Sequence, residues 1–313
     1  LYDVVERRIR CYRDHFGTRP LYYFLADDIF IFASDIKAIL ATGLVDESID
    51  QSKLEDFLVG NLASQERTFY KNVKRLRAGT FIQVTPDSVQ HRTWWAVDSE
   101  TILDGSDQDL IAGFRERFLQ AVGNRLSDTA QTAFMLSGGL DSSSVVASAA
   151  HIAPERVKSF KSYSVEFPYL PESIRARTDE SEYVDAVIAE TGVTDTRLMG
   201  ENESPLSSLT KMLQIQDEPF LVPNAYLDSI ALTAVHSDGC KVLLTGLEGD
   251  LTISHGDGYL NELGFAGRWD LFAKESRALA DRTDSDPALF VERYGMQTLE
   301  QLAQSVEWAA FRR

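Results

Sequence analysis

Phe134-Met135-Leu136-Ser137-Gly138-Gly139-Leu140-Asp141-Ser142-Ser143-Ser144 joins a short apolar run, Thr132 to Leu136, to a helical pattern that starts near Ser142. The apolar run reads as a buried strand ending at Leu136. Gly138 and Gly139 let the backbone turn tightly and bring its N–H groups against a ligand. Hydroxyls stand at Ser137, Ser142 and Ser143. The helix that follows offers N–H groups without intrahelical partners and about half a positive charge at its start. Together these features make a site for phosphate oxygens. Asp141 is the odd member, because a carboxylate repels phosphate. Its presence makes sense with a Mg²⁺ ion between the two, a hard cation that takes oxygen ligands. The loop therefore points to Mg-nucleotide chemistry. It is not a G-x-x-x-x-G-K-[ST] loop, since the Lys is missing. A plain glycine turn between strand and helix is the bland alternative. Six consecutive positions in a strand–loop–helix setting weigh against it.

Outward from the loop the pattern alternates. Leu110, Ile111, Phe114, Phe118, Ala121, Val122 and Leu126 recur at helical spacing, and a helix is expected from Ser142 to His151. Val157 to Val165 reads as a strand, Ser181 to Glu190 as a helix and Thr196 to Met199 as a short strand. Asn224 opens a helix to Ser237, and Lys241 to Thr245 is a strand. This βαβ order implies an α/β fold, a parallel sheet with helices on both faces. Beyond Arg268 only helices are expected.

The first hundred residues read differently. Strand-like runs around Val4 to Tyr12, Leu21 to Leu25 and Ile29 to Ala33 are separated by turns at Asp14-His15-Phe16-Gly17 and Asp27-Asp28, predicting a three-stranded meander. Short helices follow at Ile36 to Ala41, capped by Ser34 or Asp35 and stopped by Gly43, and at Ser52 to Leu58. Val73 to Val84 returns to β structure with a turn at Ala78-Gly79, and Trp94-Trp95 closes the region. The polar segment Asp98 to Gln108 reads as a linker. The expected domains are 1–100 and 106–313.

Composition narrows the function classes. The chain has 313 residues, 44% hydrophobic and 25% charged, enough for a sizeable core. With 31 Lys and Arg against 48 Asp and Glu, the net charge is −17, and no long basic run offsets it. Such a chain should repel a phosphodiester backbone, so nucleic acid is not an expected partner. No run approaches the ~18 apolar residues of a membrane span. The two cysteines, Cys11 and Cys240, make no disulfide framework and fit a reducing, cytoplasmic setting. The chain opens on Leu1 without a signal peptide or an initiator Met and is expected to be a fragment.

Ser137-Gly138-Gly139-Leu140-Asp141-Ser142 resembles the pyrophosphate loop of the N-type ATP pyrophosphatases, a group that includes asparagine synthetases, β-lactam synthetases, lasso-peptide cyclases, and GMP and NAD synthetases. Arg13-Asp14-His15-Phe16-Gly17-Thr18-Arg19-Pro20-Leu21-Tyr22-Tyr23 is similar to the R-D-x-x-G-x-x-P-L-Y-Y hairpin of asparagine synthetases. Phe32-Ala33-Ser34-Asp35-Ile36-Lys37-Ala38 resembles their F-A-S-E-x-K-A-L, and Thr68-Phe69-Tyr70 with Val73, Leu76, Ala78-Gly79 and Trp95 resembles T-x-F-x-x-V-x-x-L-x-P-G and the closing Y-W. The resemblance is to the glutamine-hydrolysing asparagine synthetase family and covers most of 10–265.

That resemblance implies the end of an antiparallel Ntn-type glutaminase domain followed by a parallel-sheet ATP pyrophosphatase domain, incomplete at its C-terminus. It implies ATP and Mg²⁺, with Leu136, Ser137, Gly138, Gly139, Leu140, Asp141, Ser142, Ser143, Val165, Thr245 and Gly246 around the nucleotide. Asp141 and Asp250 would bridge metal to phosphate, and Asp217, Glu218 and Glu248 would serve the substrate. Asp179-Glu180 with Tyr183 resembles a segment that packs against the ATP site. The implied reaction joins a carboxylate, aspartate in asparagine synthetases, to ammonia from glutamine through an acyl-adenylate. An alternative is cyclisation by an intramolecular amine, on an amino acid or a peptide precursor. A third is a nucleotide-binding regulator without catalysis. A homodimer is compatible with each.

The chain departs from the family at several positions. Leu1 is not the N-terminal Cys of the glutaminases, so the chain as given should not hydrolyse glutamine, and Cys11 reads as a core residue. Leu247 stands where asparagine synthetases carry Glu, with Glu248 as a substitute. Thr194-Asp195-Thr196 replaces paired His, Ser254-His255-Gly256 replaces F-G-G, and Lys274 does not match the family's pyrophosphate-neutralising Lys.

Overall fold

The computed structural model describes residues 1–296, apart from 27, 62–63, 99–100, 102, 128–130, 202, 221–223 and 253–257. His255 thus lies outside the described residues. The chain divides into two compact units, Leu1–Arg115 with Gly200–Leu232, and Glu116–Met199 with the remainder from Thr233.

In the first unit the strands are β1 (Tyr2–Asp3), β2 (Arg8–Tyr12), β3 (Tyr22–Leu25), β4 (Phe30–Ala33), β5 (Lys74–Arg75), β6 (Thr80–Val84) and β7 (Val89–Thr93). They form two antiparallel sheets, ordered β1-β2-β6-β7 and β4-β3-β5. The expected meander is therefore not made, because β2 and β3 enter different sheets. The turn between them redirects the chain: Asp14 accepts the Thr18 and Arg19 N–H groups at 2.9 and 3.1 Å. Arg13 donates to the carbonyls of Leu76, Gly17 and Arg19 at 2.6, 2.8 and 3.1 Å. β2 then finds its partner in β6, from Ile9 opposite Val84 to Tyr12 opposite Phe81. Helix α1 (Ile36–Leu40) follows Asp35, whose side chain makes no capping bond, and Gly43 takes the left-handed conformation after it. Helix α2 (Gln51–Leu58) starts one residue before the predicted Ser52, since the Asp50 carboxylate accepts the Lys53 N–H at 3.0 Å. Cys11, Tyr23, Leu76 and Ile82 form one core, and Ile36, Ile39, Val45 and Val73 another.

The remaining elements, in chain order, are helix α3 (Asp107–Gly123), β8 (Thr132–Met135), α4 (Leu140–Ile152), β9 (Lys161–Glu166), α5 (Glu172–Thr178), α6 (Ser181–Thr191), β10 (Thr194–Met199), α7 (Leu209–Gln216), α8 (Ala225–Ser237), β11 (Val242–Leu244), α9 (Gly249–Thr252), α10 (Tyr259–Phe265), α11 (Trp269–Thr283) and α12 (Pro287–Phe290). β9 begins later than Val157, because Pro154 opens a 3₁₀ segment, Pro154–Ser159.

The second unit carries a parallel sheet ordered β10-β9-β8-β11. Its residues alternate between two cores. Phe134, Leu136 and Leu244 pack with Phe118 and Val122, with Val146 and Ala149 of α4, and with Val184 and Ile188 of α6. Ala133, Met135, Tyr163, Leu198 and Leu243 pack with Ala234 and Val235 of α8. Helices thus cover both faces, as the βαβ order predicts. The order has one consequence for function. The chain runs from β8 outward through β9 to β10, then returns to place β11 on the other side of β8. The carboxyl ends of β8 and β11 therefore form a topological switch point, where open α/β sheets bind ligands.

Candidate active site

Both loops at the switch point are built from the residues singled out in the sequence. The loop after β8 is closed by hydroxyls. Buried Ser142 accepts from the Ser137 N–H at 3.2 Å, meets the Ser137 hydroxyl at 3.1 Å and donates to the Gly139 carbonyl at 3.2 Å. Ser137 Oγ also accepts the Gly139 N–H at 3.3 Å. Each hydroxyl has one proton and two lone pairs, so these bonds absorb most of what Ser137 and Ser142 can offer. They hold the loop's shape. Gly139 lies at the helix N-cap position with φ −66° and ψ 158°, and the first-turn N–H groups of α4 follow it. Ser143 Oγ is buried with no hydrogen-bond partner among the described residues, a state that a bound oxyanion or water normally relieves.

Glycine is required on both sides of the site. Gly138 has φ +91°, and a β-carbon there would lie 2.8 Å from the Glu180 carbonyl and 3.2 Å from Tyr183 Cβ, so the start of α6 backs the loop. Glu180 and Tyr183, from the segment read as packing near the nucleotide, thus lie against the loop. Across the switch point, a β-carbon on Gly246 would lie 2.5 Å from Ser142 N. A β-carbon on Gly249 would collide with the Asp141 carboxylate. The loop after β11 thus lies backbone to backbone on the start of α4, and Asp141 rests its carboxylate on the glycine that precedes Asp250.

The structure brings together Leu136, Ser137, Gly138, Gly139, Leu140, Asp141, Ser142 and Ser143 from one loop and Thr245, Gly246, Glu248 and Asp250 from the other. Leu136 donates its N–H to the Tyr163 carbonyl at 3.0 Å, which sets it and Val165 at the carboxyl ends of adjacent strands. Asp217 and Glu218 belong to the first unit. Asp217, in left-handed backbone at φ +60°, accepts the Lys37 N–H at 3.1 Å and pairs with its ammonium at 3.3 Å. Buried Glu218 accepts the Phe69 N–H at 2.9 Å and pairs with Arg75. Burial alone would lower the Arg75 guanidinium, but Glu218 beside it holds it above its ordinary value.

Two features escaped the sequence reading. One is Gly249. The other is a network under β9 and β10. Asp195 accepts the Ser162 and Ser164 hydroxyls at 2.6 and 3.1 Å and pairs with Arg197 at 2.7 Å. Arg197 also pairs with Glu166 and, at 2.6 Å, with Asp185. Burial pulls the Arg197 guanidinium down, and the carboxylates around it more than offset this. Asp195 and Arg197 stand two apart on a strand, a spacing that puts both on one face and signals the pair.

Asp141 and Asp250 stand on adjoining loops, and no group of three or more His, Cys, Asp or Glu that could hold a metal ion occurs among the described residues. Mg²⁺ is commonly held by one or two carboxylates together with substrate phosphates.

Residues 113–310 match the model of the asparagine synthase family, and residues 1–95 match that of the glutamine amidotransferase domain. The chain belongs to the asparagine synthase family. It is similar to asparagine synthetase [glutamine-hydrolyzing] 3 of Bacillus subtilis, at 27% identity over 70% of this chain and 36% of that protein. It is also similar to the amidase chyE of Penicillium rubens, at 28% identity over 79% of this chain and 37% of that protein. The amidase chry2 of Gibberella zeae is 28% identical over 83% of this chain and 39% of its own length. The chain therefore spans between 36% and 39% of the length of these relatives. Among solved structures, glutamine-dependent NAD+ synthetase from Acinetobacter baumannii aligns at 15% identity and a TM-score of 0.30, over 60% of this chain and 32% of that one. No helix among the described residues is long and apolar enough to cross a membrane.

Proposed function

We propose that this chain carries the adenylating centre of an ATP-dependent amide-forming ligase of the asparagine synthetase type. In this reading 106–313 is the synthetase domain and 1–100 the C-terminal part of a glutaminase-like domain. ATP is a substrate, with its phosphates at the Ser137–Ser143 loop and its adenine against the backbone of Leu136 and Val165. Bound Mg²⁺, held by Asp141 and Asp250, supplies charge neutralisation for the pyrophosphate. An oxygen of the carboxylate substrate attacks the α-phosphorus, and the bond to the β-phosphate bridge oxygen breaks. The first-turn N–H groups of α4 face the charge that develops on the leaving group. An amine then attacks the acyl carbon, AMP departs, and the nitrogen loses a proton. With aspartate and ammonia the products are asparagine, AMP and pyrophosphate.

The observation that carries this reading is Asp141 seated on Gly249 at the topological switch point. A second reading keeps the first half-reaction and replaces ammonia by an intramolecular amine. Leu247 supports it, an apolar side chain 79% exposed where asparagine synthetases carry Glu. Carboxylate-dependent exchange of pyrophosphate into ATP tests the shared half-reaction. Release of amide without added ammonium separates the two readings.

A further inference from the structure

The proposed reaction leaves charge uncompensated at the switch point. Two aspartates cancel the charge of one Mg²⁺ ion, and the start of α4 adds only about half a positive charge. Pyrophosphate departs as a multiply charged anion, and cationic side chains are a common means of holding such charge. Between Glu166 and Met199, the stretch that backs the phosphate loop, three side chains are cationic: Arg175, Arg177 and Arg197. Arg197 is taken up by Glu166, Asp185 and Asp195. Arg175 pairs with Glu172 and donates to the Pro168 carbonyl at 3.4 Å. Arg177 is exposed and has no hydrogen-bond or ion-pair partner among the described residues.

The fold sets Arg177 on the side of the loop. Glu172, Arg175, Ala176 and Asp179 line a cavity with Ser181 and Glu182. Spaced by three and four, the first four share one face of α5. Arg177 follows Arg175 by two residues, about 200° round the helix, and so belongs to the other face. The start of α6 is divided the same way. Ser181 and Glu182 face the cavity, whereas Glu180 and Tyr183 lie against Gly138. The junction is fixed. The Glu180 carbonyl accepts the Tyr183 and Val184 N–H groups at 3.0 and 3.2 Å. The Asp179 N–H donates to the Arg175 carbonyl at 2.8 Å, and its carboxylate accepts the Ser181 N–H at 3.0 Å. Three residues of chain, at most about 11 Å, separate Arg177 from the residue that touches the loop, and an arginine side chain spans much of that. We infer that Arg177 binds the pyrophosphate end of ATP, its planar guanidinium pairing with phosphate oxygens. The inference rests on the adenylation reading and adds to it a residue that holds the leaving group.

Isothermal titration of the full chain with magnesium pyrophosphate and, separately, with AMP tests this without turnover. Arg177→Gln should weaken magnesium pyrophosphate by about tenfold or more, the scale of a hydrogen bond between charged groups. It should leave AMP affinity and the melting temperature unchanged. Arg175→Gln removes the same charge from the other face of α5 and should alter neither affinity. Equal weakening of pyrophosphate by the two variants means a diffuse field and overturns the inference. So does equal loss of AMP and pyrophosphate in Arg177→Gln, an Arg177→Gln protein that binds pyrophosphate as the wild type does, or a wild type that binds none. Failure of the adenylation reading is distinct: the wild type then shows no carboxylate-dependent pyrophosphate exchange, while the titrations still decide whether Arg177 holds pyrophosphate.

Discussion

At the scale of single residues, the account turns on where Asp141 lies. Its carboxylate occupies the space that a side chain at Gly249 would need. Gly249→Ala should push that carboxylate aside and cost pyrophosphate exchange at least about 100-fold, the scale of losing one oriented charge-stabilising group. Circular dichroism checks that the fold persists. Asp14 gives a prediction of another kind. The Arg19 and Thr18 N–H groups hold its carboxyl at about 2, below the ordinary 3.8. A group whose folded value is depressed stabilises the protein above its unfolded value. That contribution is lost as pH falls from 3.8 toward about 2. Asp14→Asn should flatten the acid limb of a melting-temperature profile over that window, and an unchanged limb contradicts the assignment. Asp141 was legible because a carboxylate inside a phosphate loop is chemically odd. Gly249 was not, since a glycine's reason is the atom that occupies its missing side chain, and that atom is more than a hundred residues away.

At the scale of elements, period and capping chemistry predicted most helices and strands, and failed where no local signal exists. β7 was missed because each of its residues, Val89 to Thr93, is exposed, so no apolar alternation marks it. The separation of β2 from β3 was missed because alternation names a strand and not its partner. The parallel sheet was legible because its central strands β8 and β9 are buried runs that alternate with helical periods. Its outer pair is tied by the network that centres on Arg197. Arg197→Met leaves Asp195 buried without its cation and should cost about 3–5 kcal/mol of stability by denaturant unfolding. A loss below about 1 kcal/mol, the value of an exposed pair, contradicts a structural role for that network.

At the scale of the whole molecule, the segment Gly200–Leu232 groups with the N-terminal residues, although it falls within the stretch that matches the synthase family. Glu218 shows how, by taking up the Phe69 N–H and Arg75. The sequence reading gave Asp217 and Glu218 to the substrate, because a D-E-P motif carries no sign of a partner about 140 positions earlier. Glu218→Ala leaves the half-buried Arg75 and the Phe69 N–H without their partner at once and should lower unfolding stability by about 2–3 kcal/mol. The central claim is that Asp141 holds charge for the departure of pyrophosphate. Its most direct test is aspartate-dependent exchange of labelled pyrophosphate into ATP, wild type against Asp141→Asn. The account predicts exchange in the wild type and its near abolition in the variant at unchanged melting temperature. Exchange of equal rate in both contradicts it.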